Sequence, residues 1–328
     1  MIDFEGTILN RPNATRNMSD DEFMAALPEM AEQLSHVDYH FHYTEAELQR
    51  DWQNLLLFHT DNHYTASQQR AGMKLCEQFF PNFYDIKNAN GEEFKDFWTP
   101  ECLMKILKWN RSSHSTPYLS ELKRGVYFCY GLTKNTMYRP HLAKMICDYY
   151  HPRLVLDPCA GWGGRMLGAI ASGAEYIAFE PNTETYKHLL ELAKFLQIDN
   201  RVHIYNEGAE NINSDDFKVN LILTSPPYFD LEIYCDEPTQ SITGYDNYDA
   251  WLNNWLNPVV NKCLNSLVGG ASCWNVAPNM IADVEKIHQN AGFSYDTDFG
   301  LHSSARQANQ NIAKNAKTTD ATICYKIR

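Results

Sequence analysis

Leu154-Val155-Leu156-Asp157-Pro158-Cys159-Ala160-Gly161-Trp162-Gly163-Gly164 is the stretch that decides how the chain is read. A short apolar run ends at an acid and passes into a glycine-rich turn, and Met166-Leu167-Gly168-Ala169-Ile170 continues with helical character. A strand, a tight turn and a helix start in that order let the backbone approach a ligand closely and present free N–H groups to it. A second apolar run, Leu221-Ile222-Leu223-Thr224, ends in the tetrad Ser225-Pro226-Pro227-Tyr228. From Leu154 onward, strand and helix patterns alternate. Strands are expected at 154–157, 176–180, 202–207, 219–225, 271–277, 293–299 and 321–327, and helices near 183–195, 248–267 and 280–291. Such alternation predicts an α/β fold with a mostly parallel sheet covered by helices on both faces, and ligands beyond the carboxyl ends of the strands.

Residues 19 to about 97 read as helical instead. Ser19 with Glu22 and Thr44 with Glu47 have capping-box spacing, Thr99-Pro100 looks like an N-cap and first helical position, and Asn88-Ala89-Asn90-Gly91 reads as a turn. Gly125-Val126-Tyr127-Phe128-Cys129-Tyr130 is apolar and could be extended. We therefore expect a mainly helical N-terminal domain over 1–125 and a sheet domain over 126–328. His36, Asp38, His40 and His42, followed by His59, Asp61 and His63, form a local cluster. With no helix-borne His pair and no cysteine partner, the prior for histidines packed among aromatics outweighs a metal site, and no metal is assigned.

A hydrophobic content of 44% with 13% aromatics argues against disorder. No apolar stretch reaches the roughly 18–20 residues of a membrane span, and the start of the chain lacks a secretory pattern. Nine scattered cysteines, none in a C-x-x-C pair, suit reduced thiols and a cytoplasmic setting. The net charge of −13 weighs mildly against a nucleic-acid binder. Its distribution is uneven, however: Lys105, Lys108, Arg111, Lys123, Arg124, Lys134, Arg139 and Lys144 outnumber their acidic neighbours, and local patches decide phosphate contact.

Glu180 ends the second strand about 20 residues beyond the turn, where doubly wound folds place an acid on ribose hydroxyls. Turn, Asp157 and Glu180 would suit any ribose-bearing cofactor, although the turn is not G-x-G-x-x-G, which weighs against a dinucleotide. The tetrad adds chemistry. Two successive prolines lack N–H donors and stiffen the chain as it leaves the sheet, so carbonyl oxygens and the Ser225 hydroxyl can face a cleft. An exocyclic amine can donate to such acceptors, and Tyr228 offers a ring on which a flat base can stack.

Asp157-Pro158-Cys159-Ala160-Gly161-Trp162-Gly163 resembles motif I of the DNA amino-methyltransferases, and Ser225-Pro226-Pro227-Tyr228 resembles their motif IV, with the similarity running from about Tyr127 to the end of the chain. Glu180 and Pro181 fall at motif II. Glu207, Gly208 and Ala209 resemble the loop that contacts the cofactor's adenine. Thr136, Tyr138 and Arg139 occupy, loosely, the place of the segment that closes over its methionine end. The resemblance implies a Rossmann-like class I methyltransferase sheet and S-adenosylmethionine as cofactor. It further implies DNA as partner, with a base flipped from the duplex into the pocket of a bacterial or phage-infected cell. Serine at the head of the tetrad is, in that family, more typical of cytosine-N4 than of adenine-N6 enzymes.

Two features depart from the pattern. Asp230-Leu231-Glu232-Ile233-Tyr234-Cys235-Asp236-Glu237 is acidic, which is awkward beside a phosphate backbone, and no separate recognition domain stands out. Target reading would fall to the helical region or to the polar stretch Ser303–Thr319. RNA guanine-N2 methylation, protein glutamine methylation and a non-catalytic cofactor-binding subunit stay open as alternatives, and the sequence leaves the oligomeric state unassigned.

Overall fold

In the structure, a computed structural model, the described residues are 15–59, 65–66, 69–88, 90–132, 136–229, 233–241, 243–301 and 319–327. The helices are α1 (Asp20–Ser35), α2 (Glu45–Leu56), α3 (Met73–Phe79), α4 (Pro100–Ser112), α5 (Leu119–Tyr130), α6 (Pro140–Tyr150), α7 (Gly164–Ala171), α8 (Thr183–Phe195), α9 (Tyr248–Trp251), α10 (Asn257–Ser266) and α11 (Ile281–Asn290). The strands are β1 (Thr65–Ala66), β2 (Leu154–Asp157), β3 (Glu175–Phe179), β4 (Val202–Tyr205), β5 (Val219–Thr224), β6 (Leu267–Asn275), β7 (Phe293–Leu301) and β8 (Thr319–Ile327).

These strands form one sheet in the order β1-β7-β8-β6-β5-β2-β3-β4. Neighbours run parallel except at β8, which lies antiparallel between β6 and β7. The chain winds outward from β2 to β4, then returns to pair β5 with β2 on the other side. That reversal is the topological switch point, and the architecture is the Rossmann-like α/β sheet expected above. Both faces are covered, which is why the strands read as continuous apolar runs rather than as alternation. Leu156, Ile177 and Ile222 pack with Trp251, Val260 and Ile287 on one face, while Val155 and Asp157, one residue to either side of Leu156, are buried on the other.

The described chain divides into two compact units that interleave in sequence. The first comprises 1–43, 81–136 and 231–235, and its core joins Phe23, Leu27 and Met30 of α1 to Leu103 and Ile106 of α4 and Leu122 of α5. The second comprises 44–80, 137–230 and 236–328 and contains the sheet. A single cut at 125/126 therefore does not coincide with these units, because α2 and α3 belong with the sheet. Phe79 of α3 meets Phe195 of α8 at 5.2 Å between ring centres, and the next residue, Phe80, is fully buried. Both expected capping boxes form, at Ser19/Glu22 and Thr44/Glu47, and Thr99 caps α4.

The stretch Gly125–Tyr130 is helical, in α5, rather than extended. Leu119, Leu122 and Val126 give it a helical apolar stripe. At Gly125 a Cβ would lie 2.5 Å from the Ile106 side chain, so glycine serves a close helix crossing there.

A second close crossing matters for the site. At Gly168 in α7 a Cβ would come within 2.6 Å of Lys144 N and Pro140 O on α6. Backbone cannot yield as a side chain can, so Gly168→Ala should destabilise the fold by about 1–3 kcal/mol in denaturant titrations, even though alanine is the better helix former by about 1 kcal/mol. Gly244→Ala, where a Cβ meets nothing, is the control and should stay within about 0.5 kcal/mol. Equal stability of the two variants would show that α6 and α7 do not pack as described.

Candidate active site at the switch point

Asp157, fully buried at the end of β2, organises the turn. Its Oδ2 accepts from Arg165 Nε at 2.6 Å and from the Tyr176 hydroxyl at 2.7 Å. Its Oδ1 accepts from the Thr224 hydroxyl at 2.7 Å and from Cys159 N–H at 3.1 Å. One carboxylate thus joins β2, β3, β5 and α7. Arg165 also donates to the carbonyls of Cys159 and Ala160, and its guanidinium lies 5.2 Å from the centre of the Tyr138 ring. Asp157 and Cys159 therefore shape the turn from behind.

The turn leaves β2 with Ala160 N–H still bonded to Phe179 O, and Gly161 and Gly163 take φ of 56° and 70°, values that favour glycine. Gly161 N–H donates to Glu180 Oε2 at 2.9 Å, and Asn182 N–H donates to Oε1 at 2.9 Å. The acid at the end of β3 and the turn at the end of β2 are thereby one structure. Burial pushes the Glu180 carboxyl up to about 7, against the opposing pull of those two N–H donors. Pro181 follows it, its carbonyl accepting from Asn206 Nδ2 at 3.3 Å. Trp162 is half-buried on the turn.

Tyr138 crosses directly over the helix start. A Cβ at Gly164 would lie 2.0 Å from its carbonyl oxygen, and its hydroxyl bonds the Thr322 hydroxyl at 2.7 Å. Arg139 is the N-cap residue of α6, and Thr136 is an exposed residue of the first compact unit. After β4, Glu207 is exposed, while Gly208 and Ala209 are buried where a short 3₁₀ turn begins.

At the end of β5 the tetrad continues from Thr224. Pro226 is buried, and Ser225, Pro227 and Tyr228 are partly exposed. The Ser225 and Tyr228 hydroxyls both donate to Asn275 Oδ1, at 3.3 and 3.2 Å. Behind them Phe229 meets Trp251 at 5.9 Å between ring centres, and Trp251 stacks on Trp255. Part of the acidic stretch, residues 230–232, lies outside the described residues, as does the polar stretch 303–318. Glu237 accepts from Thr183 N–H and Oγ1 at 3.2 Å, at the first turn of α8.

The structure thus gathers Asp157, Cys159, Ala160, Gly161, Gly163, Glu180 and the tetrad at neighbouring strand ends. It adds Arg165, Tyr176, Thr224, Asn275 and Thr322, which the sequence reading passed over. Asn275 alone had a signal, its place at the carboxyl end of a strand next to β5. In the histidine cluster His40 and His42 bond Asp38 at 2.6 and 2.7 Å, and among the described residues no group of three or more His, Cys, Asp or Glu could hold a metal ion.

No protein-family model and no curated protein matches the sequence. Among solved structures, a ribosomal protein L11 methylase from Lactobacillus delbrueckii subsp. bulgaricus is 14% identical with a TM-score of 0.40, covering 61% of this chain and 83% of that one. A SAM-dependent O-methyltransferase from Thermotoga maritima is 14% identical with a TM-score of 0.39, covering 62% and 70%. An rRNA methylase from Streptococcus thermophilus is 14% identical with a TM-score of 0.38, covering 59% and 100%. We take no acceptor from likenesses at this level.

Glu180 sets a pH dependence. Its folded-state value of about 7 lies above the ordinary glutamate value of 4.5, so the folded chain holds a proton that the unfolded chain has released between those limits. Its contribution to stability is full below about 4.5 and is lost as pH rises to about 7. Glu180→Gln should flatten that part of the pH–stability curve in thermal unfolding series. An unchanged slope would mean that Glu180 is not buried as described.

Proposed function

We propose that this chain transfers a methyl group from S-adenosylmethionine to an exocyclic amine of a nucleic-acid base, in DNA at cytosine N4 ahead of adenine N6. The observation that carries the reading is the adjacency of the two motifs. The glycine turn and the tetrad end neighbouring parallel strands, β2 and β5, and the Thr224–Asp157 hydrogen bond ties them together.

The residues fit the cofactor chemically. Glu180 already accepts two backbone N–H bonds, but a carboxylate has about four lone-pair sites. A ribose diol can donate to the remainder and restore the ionised form that burial disfavours. We assign Gly161, Trp162, Gly163 and Pro181 to the cofactor's approach, Glu207 to its adenine, and Tyr138 and Arg139 to its methionine end. Bound there, the cofactor supplies a methyl group on a positively charged sulfur. The chain's own work is orientation. Ser225 Oγ and the carbonyls of the proline pair accept the amine's N–H bonds and turn its lone pair toward the incoming carbon. The surplus proton of the nitrogen passes to solvent, since the neutral Ser225 hydroxyl accepts the N–H bond but is too weak a base to keep the proton, and Tyr228 holds the base plane.

The first compact unit is assigned to reading the target. RNA guanine N2 is the second reading, because the acidic segment after the tetrad is unfavourable beside duplex phosphates.

Incubation with methyl-labelled S-adenosylmethionine and separate DNA, RNA and protein acceptors tests this, with nucleoside digestion of the labelled product. We expect label in DNA as N4-methylcytosine or N6-methyladenine. Ser225→Ala with Tyr228→Ala should lower kcat by about 10²–10³-fold while cofactor affinity in calorimetry stays within about threefold. Label confined to RNA or protein would overturn the acceptor, and a chain that binds no S-adenosylmethionine would overturn the reading.

A further inference from the structure

We propose that Asn275, at the end of β6, is a positioning residue that makes the Ser225 hydroxyl accept a hydrogen bond from the acceptor base and not donate one, so that the pocket selects an amino group over an oxo group. The inference rests on the methyl-transfer reading for the identity of the base.

Its starting point is a backbone carbonyl. Asn275 is 8% exposed, so its amide must find partners inside the protein. Its Nδ2 donates to Ala321 O on β8 at 3.2 Å. A backbone carbonyl can only accept, so the opposite amide rotamer would set two carbonyl oxygens against each other. Ala321 therefore fixes which end of the amide faces β5, and it is the oxygen. That oxygen can only accept in turn. The Ser225 and Tyr228 hydroxyls both donate to it, at 3.3 and 3.2 Å, and Ser225 thereby spends its one proton. What the Ser225 hydroxyl has left for a ligand is lone pairs.

The consequence is a selection rule. A 4-amino or 6-amino group donates and is welcomed. A 4-oxo or 6-oxo group, as on uracil or hypoxanthine, offers only lone pairs and meets lone pairs. Sites built on a buried hydrogen bond discriminate far more sharply than sites built on shape, because the mismatch leaves polar groups unpaired. The sheet register makes this possible. Asn275 lies opposite Thr322 in the antiparallel β6–β8 pair, next to Ala321, and Thr224 lies opposite Trp274 in the parallel β5–β6 pair. The amide thus sits level with the first residue after β5.

The test uses the full chain and two matched pairs of single-stranded oligonucleotides, deoxycytidine against deoxyuridine and deoxyadenosine against deoxyinosine. Competition against methylation of unmodified plasmid DNA reads the preference. The wild type should prefer the amino member of at least one pair by about 10²-fold or more. Asn275→Leu should cut that preference to below about threefold and lower kcat by about 10²-fold, with cofactor affinity unchanged as the check on folding. Asn275→Asp adds a readout that a merely structural residue would not show. Only the protonated acid can donate to Ala321 O and still present a carbonyl to the Ser225 hydroxyl, so its kcat should recover as pH falls while the wild-type profile does not. Equal competition by amino and oxo members in the wild type would overturn the proposal. So would retained preference in Asn275→Leu, or a pH profile for Asn275→Asp that parallels the wild type. A wild type that methylates no nucleic acid would instead bring down the function on which the inference rests.

Discussion

A buried carboxylate is the constraint on which the site depends. Taking the Asp157 charge out of water costs several kcal/mol, and that cost is offset only because Arg165, Tyr176, Thr224 and Cys159 N–H all donate to it. These donors come from α7, β3, β5 and the turn itself, so the charge can be satisfied in one arrangement of the strand ends. Removing a partner from such a buried pair typically costs about 3–5 kcal/mol, more than the pair adds over an apolar substitute. The carboxylate therefore acts mainly by specifying geometry: it sets β5 against β2 at the level where the tetrad begins. For Asp157 the protein donors occupy the role that the sequence reading gave to a cofactor contact.

The acidic segment after the tetrad looks ill-suited to a polyanionic partner when read as a string of charges. In the fold, Glu237 turns back to the first turn of α8, where free N–H groups and the helix dipole favour a negative charge. Asn182, the N-cap of that helix, also donates its backbone N–H to Glu180. The segment leaving the tetrad and the acid expected on the ribose are thus held by two adjacent residues, Thr183 and Asn182. Part of the chain's excess of acids serves local structure, and net charge alone would have hidden this.

Much of the sheet was legible because parallel strands buried on both faces leave short apolar runs, and those runs were placed to within a few residues. Periodicity, however, says which face of a helix is apolar and nothing about its partner. That is why α2 and α3 were grouped with the N-terminal helices although Phe79 meets Phe195 of α8. The run Val126–Tyr130 was ambiguous for a related reason, since a short apolar stretch suits a strand as well as a helix until its crossing partner, here Ile106, is known. Within the site, Gly161, Glu180 and the tetrad could be found because their chemistry follows from local spacing. Asn275 had only its place at a strand end, and Thr322 had no signal, because it acts across a strand register that no local pattern encodes.

That register points to the part played by β8. A sheet that ended at β6 would leave that strand at an edge, its last residues bonded only on the β5 side. Insertion of an antiparallel strand between β6 and β7 instead brings two consecutive residues to the site from the opposite direction. Ala321 offers its carbonyl to Asn275 and so orients the amide that faces the tetrad. Thr322, fully buried, bonds the hydroxyl of Tyr138, whose carbonyl lies against the glycine at the helix start. One dipeptide thereby holds both the cover of the turn and the support of the tetrad. The glycine turn and the tetrad are joined twice, at the back through Asp157 and at the rim through β8, which is the rigidity that the proposed catalysis by orientation requires.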